Sequence, residues 1–176
     1  MARALIVVPP ESFSCGQYRQ MRQVLTEHGF EVQVASRGRE EIKQPRCSVT
    51  PDVSLDQVHG GSYDVLVFVA GRGNRRLLEA PEAHRLAREA VSAGRVVGAS
   101  GLAVGILANA GVLRGQPAAG PISLAGLLQE RGAIYTADPV AVAANVVTLR
   151  KSEAFPIFAQ QLLELVLHKA PAGKAA

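Results

Sequence analysis

No tryptophan occurs in the chain and aromatic residues make up only 5% of it, so nothing in the composition offers a platform on which nucleic-acid bases would stack. That absence outweighs the invitation of a net charge of +4 and a pI near 9.4. The arginines are scattered rather than clustered, and nucleic acid is set aside as a partner. There are two cysteines, Cys15 and Cys47, at a spacing that matches no zinc or redox motif. They read as reduced thiols of a cytoplasmic protein in preference to a disulfide. The four histidines, His28, His59, His84 and His168, have no i,i+4 partner and no acidic ligand set beside them, which argues against a metal site. Long apolar runs are missing too. "ALIVV" at 4–8 meets Pro9-Pro10 too early for a membrane span and shows no cleavage pattern of a signal.

What is present is a chain of 176 residues, 48% hydrophobic, enough for one domain with a real core. The expected boundaries are 1–169 for that domain and 170–176 for a frayed tail. Strand-like runs alternate with helical patterns, which predicts an α/β protein with a mostly parallel sheet covered on both faces. "ALIVV" opens as a buried strand. A helix follows from Ser14 to His28, with Tyr18, Met21 and Leu25 on one face and Gly29 as its stop. "FEVQVA" (30–35) is the next strand, and 36–58 is a polar excursion with a turn at Thr50-Pro51-Asp52. "YDVLVFVAG" (63–71) is a buried strand, and "APEAHRLAREAVSAG" (80–94) holds a helix with Pro81 near its start and Gly94 just past its end. Ser123 caps a short helix over 123–132. Two further strand regions lead to an amphipathic helix from Ser152 to His168. Glu82, Glu89 and the other acids fall on polar helix faces, where solvation is the default.

The stretch "RVVGASGLAVGILANAGVL" (95–113) reads as a buried strand, a small-residue turn and a helix, an arrangement that can lift one side chain above a sheet. Ser100 is near that apex, but Gly98-Ala99-Ser100-Gly101-Leu102 does not complete a Gly-x-Ser-x-Gly elbow. A small residue serving only the tight turn is the plainer reading. "GRGNRR" (71–76) follows a strand at its carboxyl end, where open α/β sheets place ligands. It lacks the third glycine of a dinucleotide fingerprint and the Gly-Lys-Ser/Thr of a phosphate loop, so no cofactor is expected. Arg72, Arg75 and Arg76 are either a clamp for an anion or a solvated basic loop.

Five strings in order, "LTEHGFEVQVAS", "VTPDVSLDQV", "SYDVLVFVAGRG", "ANAGVLRG" and "NVVTL", resemble the ThiJ/PfpI superfamily across almost the whole chain. The superfamily includes protein deglycases, glyoxalases, peptidase-like proteins and isonitrile hydratases. The resemblance implies a flavodoxin-like three-layer sandwich and frequent homodimers.

It also implies positions. Counted back from "ANAGVLRG", the elbow cysteine of the family falls on Gly101 and its histidine neighbour on Leu102. The family glutamate falls on Gln17, counted back from Leu25. The Pro-Gly-Gly turn reads Val69-Ala70-Gly71, and the further histidine and aspartate fall near Pro121 and on Ala143. Glycine carries no nucleophile, and a glutamine amide accepts no proton at neutral pH.

The expectation is therefore a divergent member without the family's thiolate chemistry, binding a small molecule or acting as an auxiliary protein. The alternative is a cofactor-free lyase, hydratase or isomerase using non-covalent contacts. The candidate catalytic residues are Gln17, Ser100 and Cys15, the last either a reactive thiol at a helix start or a small buried hydrophobe. The expected pocket joins Cys15, Gln17, Ala70, Gly71, Arg72, Ser100, Gly101 and Leu102.

Overall fold

The computed structural model describes residues 1–169; the segment 170–176 read as a frayed tail lies outside them. The chain runs β1 (Arg3–Val7), α1 (Cys15–Glu27), β2 (Glu31–Ser36), β3 (Ile42–Lys43), β4 (Ser48–Val49), β5 (Val53–Ser54), β6 (Val65–Phe68), α2 (Pro81–Ser92), β7 (Val96–Ser100), α3 (Val104–Asn109), β8 (Pro117–Ala119), α4 (Ala125–Glu130), β9 (Ile134–Thr136), β10 (Val140–Ala143), β11 (Val146–Leu149) and α5 (Phe155–Leu167). Seven strands form one sheet in the order β10-β11-β7-β6-β1-β2-β5. Every neighbouring pair is parallel except β10 and β11.

Alternation along β1 explains the layers. Leu5 and Val7 point to one buried cluster, where they join residues of α2, α3 and α4. Ala4, Ile6 and Val8 point to the other, with Met21 and Leu25 of α1 and Phe158 and Leu162 of α5. A strand buried on both faces has no polar side to show, which is why "ALIVV" and "VLVF" read as unbroken apolar runs. Helices on both sheet faces make the three-layer α/β sandwich. Among the described residues no helix is long and apolar enough to cross a membrane.

Three expectations need correction. The excursion after β2 is more ordered than its polarity suggested: β3 and β4 pair as a small antiparallel hairpin, and β5 adds an edge strand to the sheet. Asp52 is less a turn residue than a sheet partner. Its amide donates to Val34 O at 2.8 Å and its carboxylate accepts from Val34 N, also at 2.8 Å. Ser123 is not a cap; it sits inside a 3-10 turn (Ile122–Leu124), and α4 begins after it with no side chain at its N-cap. Glu82 and Glu89 are not simply solvated. Glu82 pairs with Arg37 at 3.0 Å, while Glu89 meets Arg85 at 2.6 Å, His59 at 3.1 Å and the Gly60 amide at 3.2 Å.

Candidate functional site

Three neighbouring strands, β7, β6 and β1, end side by side, and the segments leaving their carboxyl ends touch one another. After β1, the loop reaches Ser14, whose hydroxyl accepts the Gln17 amide at 3.2 Å and caps α1. The Ser14 amide donates to Ala70 O at 2.8 Å, tying this loop to the turn after β6. Gly71 makes the approach possible. Its φ is 143°, and a Cβ there would lie 2.2 Å from Ser12 O and 2.4 Å from Phe13 Cα, so only glycine lets the two loops close.

The turn after β7 completes the arrangement. Ser100 ends the strand with extended backbone, and Gly101 turns the chain with φ of 57° into the segment leading to α3. Gly101, not Ser100, is thus the apex of the strand-to-helix turn. A Cβ at Gly101 would lie 3.0 Å from the Ala70 methyl.

The polar contact at the centre is between Gln17 and Ser100, both buried. The Ser100 hydroxyl donates to Gln17 Oε1 at 2.7 Å and accepts the Ala70 amide at 2.9 Å. Because the hydroxyl already accepts from Ala70, its one proton is free for the Gln17 oxygen, which fixes the orientation of the amide. Gln17 Nε2 meets no acceptor among the described residues and is not sealed from solvent. Of the Val69-Ala70-Gly71 amides, Val69 donates to Val7 O at 3.0 Å and Ala70 to Ser100. The Gly71 amide of that turn meets no acceptor among the described residues.

The structure therefore brings Gln17, Ala70, Gly71, Ser100 and Gly101 together. Leu102 lies next to the apex, half-buried and packed on the α2 and α3 side of the core. Arg72 is exposed at the start of a 3-10 turn (Arg72–Arg76), and Arg76 is engaged by Glu11 at 2.7 Å. Pro121 is half-buried after β8, and Ala143 closes β10 opposite Val146; neither carries a group able to act on a substrate. Asn74 was missed by the sequence reading. It is buried, and its side-chain amide donates to Val69 O at 2.8 Å and Gly71 O at 3.0 Å, holding the turn from behind. Only its place inside the polar run "GRGNRR" could have hinted at this.

Cys15 corrects the expectation of free thiols. It is joined to Cys47 in a disulfide, with the two Cα atoms 6.0 Å apart. The excursion folds its β3–β4 hairpin back onto the N-terminus of α1, a contact across 32 positions that no local spacing encodes. Gln44, also unforeseen, holds this junction: its Oε1 accepts the Phe13 amide at 2.9 Å and its Nε2 lies 3.2 Å from Cys15 Sγ and 3.6 Å from Cys47 Sγ.

Comparison with known proteins agrees with this fold. The model of the DJ-1/PfpI family matches residues 2–165. The chain belongs to that family. A ThiJ/PfpI domain protein from Brachyspira murdochii superposes with a TM-score of 0.89 at 20% identity, covering 96% of this chain and 98% of the other, a likeness of fold. Drosophila melanogaster DJ-1beta superposes with a TM-score of 0.80 at 27% identity, over 99% and 92% of the two chains. A glutathione-independent glyoxalase of Caenorhabditis elegans is 25% identical over 92% of this chain and 87% of its own. A deglycase of Pyrococcus horikoshii is 37% identical, over 52% and 56%.

Proposed function

We propose that this DJ-1/PfpI protein binds a small molecule rich in hydrogen-bond acceptors, a carbonyl compound or a carboxylate, at the Gln17–Gly71–Gly101 site, and does so without a thiolate nucleophile. The observation that carries the reading is the Ser100–Gln17 hydrogen bond of 2.7 Å beside a glycine apex. Glycine offers no attacking atom at the turn. Gln17, with its oxygen oriented by Ser100, offers its N–H groups, and these join the Gly71 amide as donors for an acceptor.

Relatives named glyoxalase and deglycase suggest substrates with reactive carbonyls, and the ligand class proposed here overlaps with theirs. The chemistry does not, because both sulfurs of this chain's cysteines lie in the disulfide. One domain spanning 1–169 carries the site, and by the family resemblance the protein is proposed to act as a cytoplasmic homodimer.

Thermal unfolding with and without small carbonyl compounds and carboxylates tests this. Binding raises the midpoint of the wild type, and Gln17→Leu weakens that binding by about 1–3 kcal/mol through the lost donors. Turnover of methylglyoxal by the oxidised protein would overturn the reading. Turnover that appears only after reduction and vanishes in Cys15→Ser would move the chemistry to Cys15.

A further inference from the structure

The first turn of α1 carries a second reactive group that the Gln17 site does not use. Cys47 is partly exposed, whereas Cys15 is only 8% exposed. An open groove of about 500 Å³ runs between the two segments the bond joins, lined by Phe13, Cys15 and Gly16 on one side and by Gln44, Pro45 and Arg46 on the other. Arg19 of α1 donates to Arg46 O, which sets a second guanidinium beside this loop.

We propose that the Cys15–Cys47 disulfide is a thiol-exchange site, entered through this groove by a small thiol that carries a carboxylate. The incoming thiolate attacks Cys47 Sγ; a new sulfur–sulfur bond forms there as the Cys15–Cys47 bond breaks, and the electron pair leaves on Cys15 Sγ. A second thiolate attacks the small molecule's own sulfur in the mixed disulfide. Cys47 leaves as a thiolate and a small disulfide departs. Two small thiols are oxidised by two electrons in all, the protein disulfide is reduced by two, and the thiol protons pass to the protein thiolates or to water. The small disulfide drives the reverse course.

The direction of attack follows from exposure and from the leaving sulfur. Cys47 is the more exposed of the two residues, while Cys15 lines the groove beside the segment 44–46 that leads into Cys47. Charge released on Cys15 sits at the first residue of a 13-residue helix, where the unpaired amides favour an anion, and Gln44 Nε2 stands nearer to it than to Cys47. A sulfur whose anion is stabilised leaves faster. Arg46 at the groove supplies the charge partner for the carboxylate.

The test incubates the native oxidised protein with mercaptoacetate or with cysteamine at matched thiolate concentration, quenches by alkylation, and maps adducts by peptide mass spectrometry. The expected result is a mixed disulfide mainly on Cys47, with opening faster for mercaptoacetate than for cysteamine and that preference lost in Arg46→Ala. Adducts mainly on Cys15, no preference for the acidic thiol, or a preference that survives Arg46→Ala would overturn the proposal. So would opening that follows global unfolding across a denaturant series, a measurement that needs no variant.

Discussion

The first turn of α1 is anchored on two sides by different means. On one side Cys15 is tied covalently to the β3–β4 excursion; on the other, two residues later, Gln17 is held to β7 by a hydrogen bond to Ser100. The first tie holds both sulfurs in one bond to the excursion. The second places only nitrogen and oxygen at the sheet's edge. The same helix start thus serves a redox group that faces an open groove and a polar site where no sulfur stands, and the two are separable by experiment.

Breaking the covalent side has the larger effect. Closing a loop across 32 positions restricts the unfolded chain by an amount corresponding to about 3–4 kcal/mol. Denaturant unfolding with and without reductant, or of Cys47→Ser, is expected to show a loss of that size. A loss under about 1 kcal/mol would mean that Gln44 and the hairpin contacts already hold the excursion in place.

On the other side, filling the apex comes next. Gly101→Cys places a side chain at φ of 57° with its Cβ 3.0 Å from the Ala70 methyl, and strain plus crowding amount to about 2–3 kcal/mol. The Ala70 methyl is the atom that a side chain at 101 would meet first, so the two positions are read as a coupled pair. Ala70→Gly in the Gly101→Cys background should recover part of the loss. Additive effects of the two substitutions in thermal unfolding would show that the pair is uncoupled.

How far these sites were legible in the sequence depends on the range of the contacts that build them. The helix from Ser14 to His28 was readable because cap, apolar spacing and stop are all local, and α1 spans Cys15–Glu27 with those two residues as its caps. The excursion at 36–58 was not. Its two-residue strands are too short for a period, and its order comes from Asp52 gripping Val34 and from the disulfide. At the site, Gln17 and Ser100 could be singled out one by one, the first through the family resemblance. Their bond spans 83 positions, and nothing in either neighbourhood signals it. Asn74 and Gln44 were invisible for the same reason: a polar residue in a polar run looks solvated until the fold shows what it holds.

Ser100→Ala has a smaller expected cost than filling the apex. It strands the Ala70 amide and the Gln17 oxygen in buried surroundings, a loss of about 1–2 kcal/mol. Its value lies in the comparison with Gln17→Leu. If Ser100 only orients Gln17, both variants should weaken ligand binding, while Ser100→Thr, which keeps a hydroxyl, should restore part of it. Calorimetric titration of the three variants with one ligand checks this order; full affinity in Ser100→Ala would show that Gln17 needs no support.

The smallest effect concerns pH, and it separates the site from the rest of the fold. The carboxylate with a lowered pKa is Glu89, far along α2. Desolvation raises its pKa, but hydrogen bonds from His59 and the Gly60 amide, with the charge of Arg85, outweigh it and hold the value below the ordinary 4.5. Since the folded-state pKa lies below the unfolded one, Glu89 contributes stability that is fully present above the ordinary carboxylate value and is lost as pH falls through the lower, folded value. Gln17 carries an amide, which does not titrate in this range, so affinity for a neutral carbonyl ligand has no carboxylate at that position to follow. Between pH 7 and the onset of acid unfolding, stability should decline at its acid end while the affinity of the folded protein stays level, and Glu89→Gln should flatten the first curve without touching the second. An affinity that falls with the stability curve in the wild type and not in Glu89→Gln would mean that α2 and the Gln17 site are coupled after all.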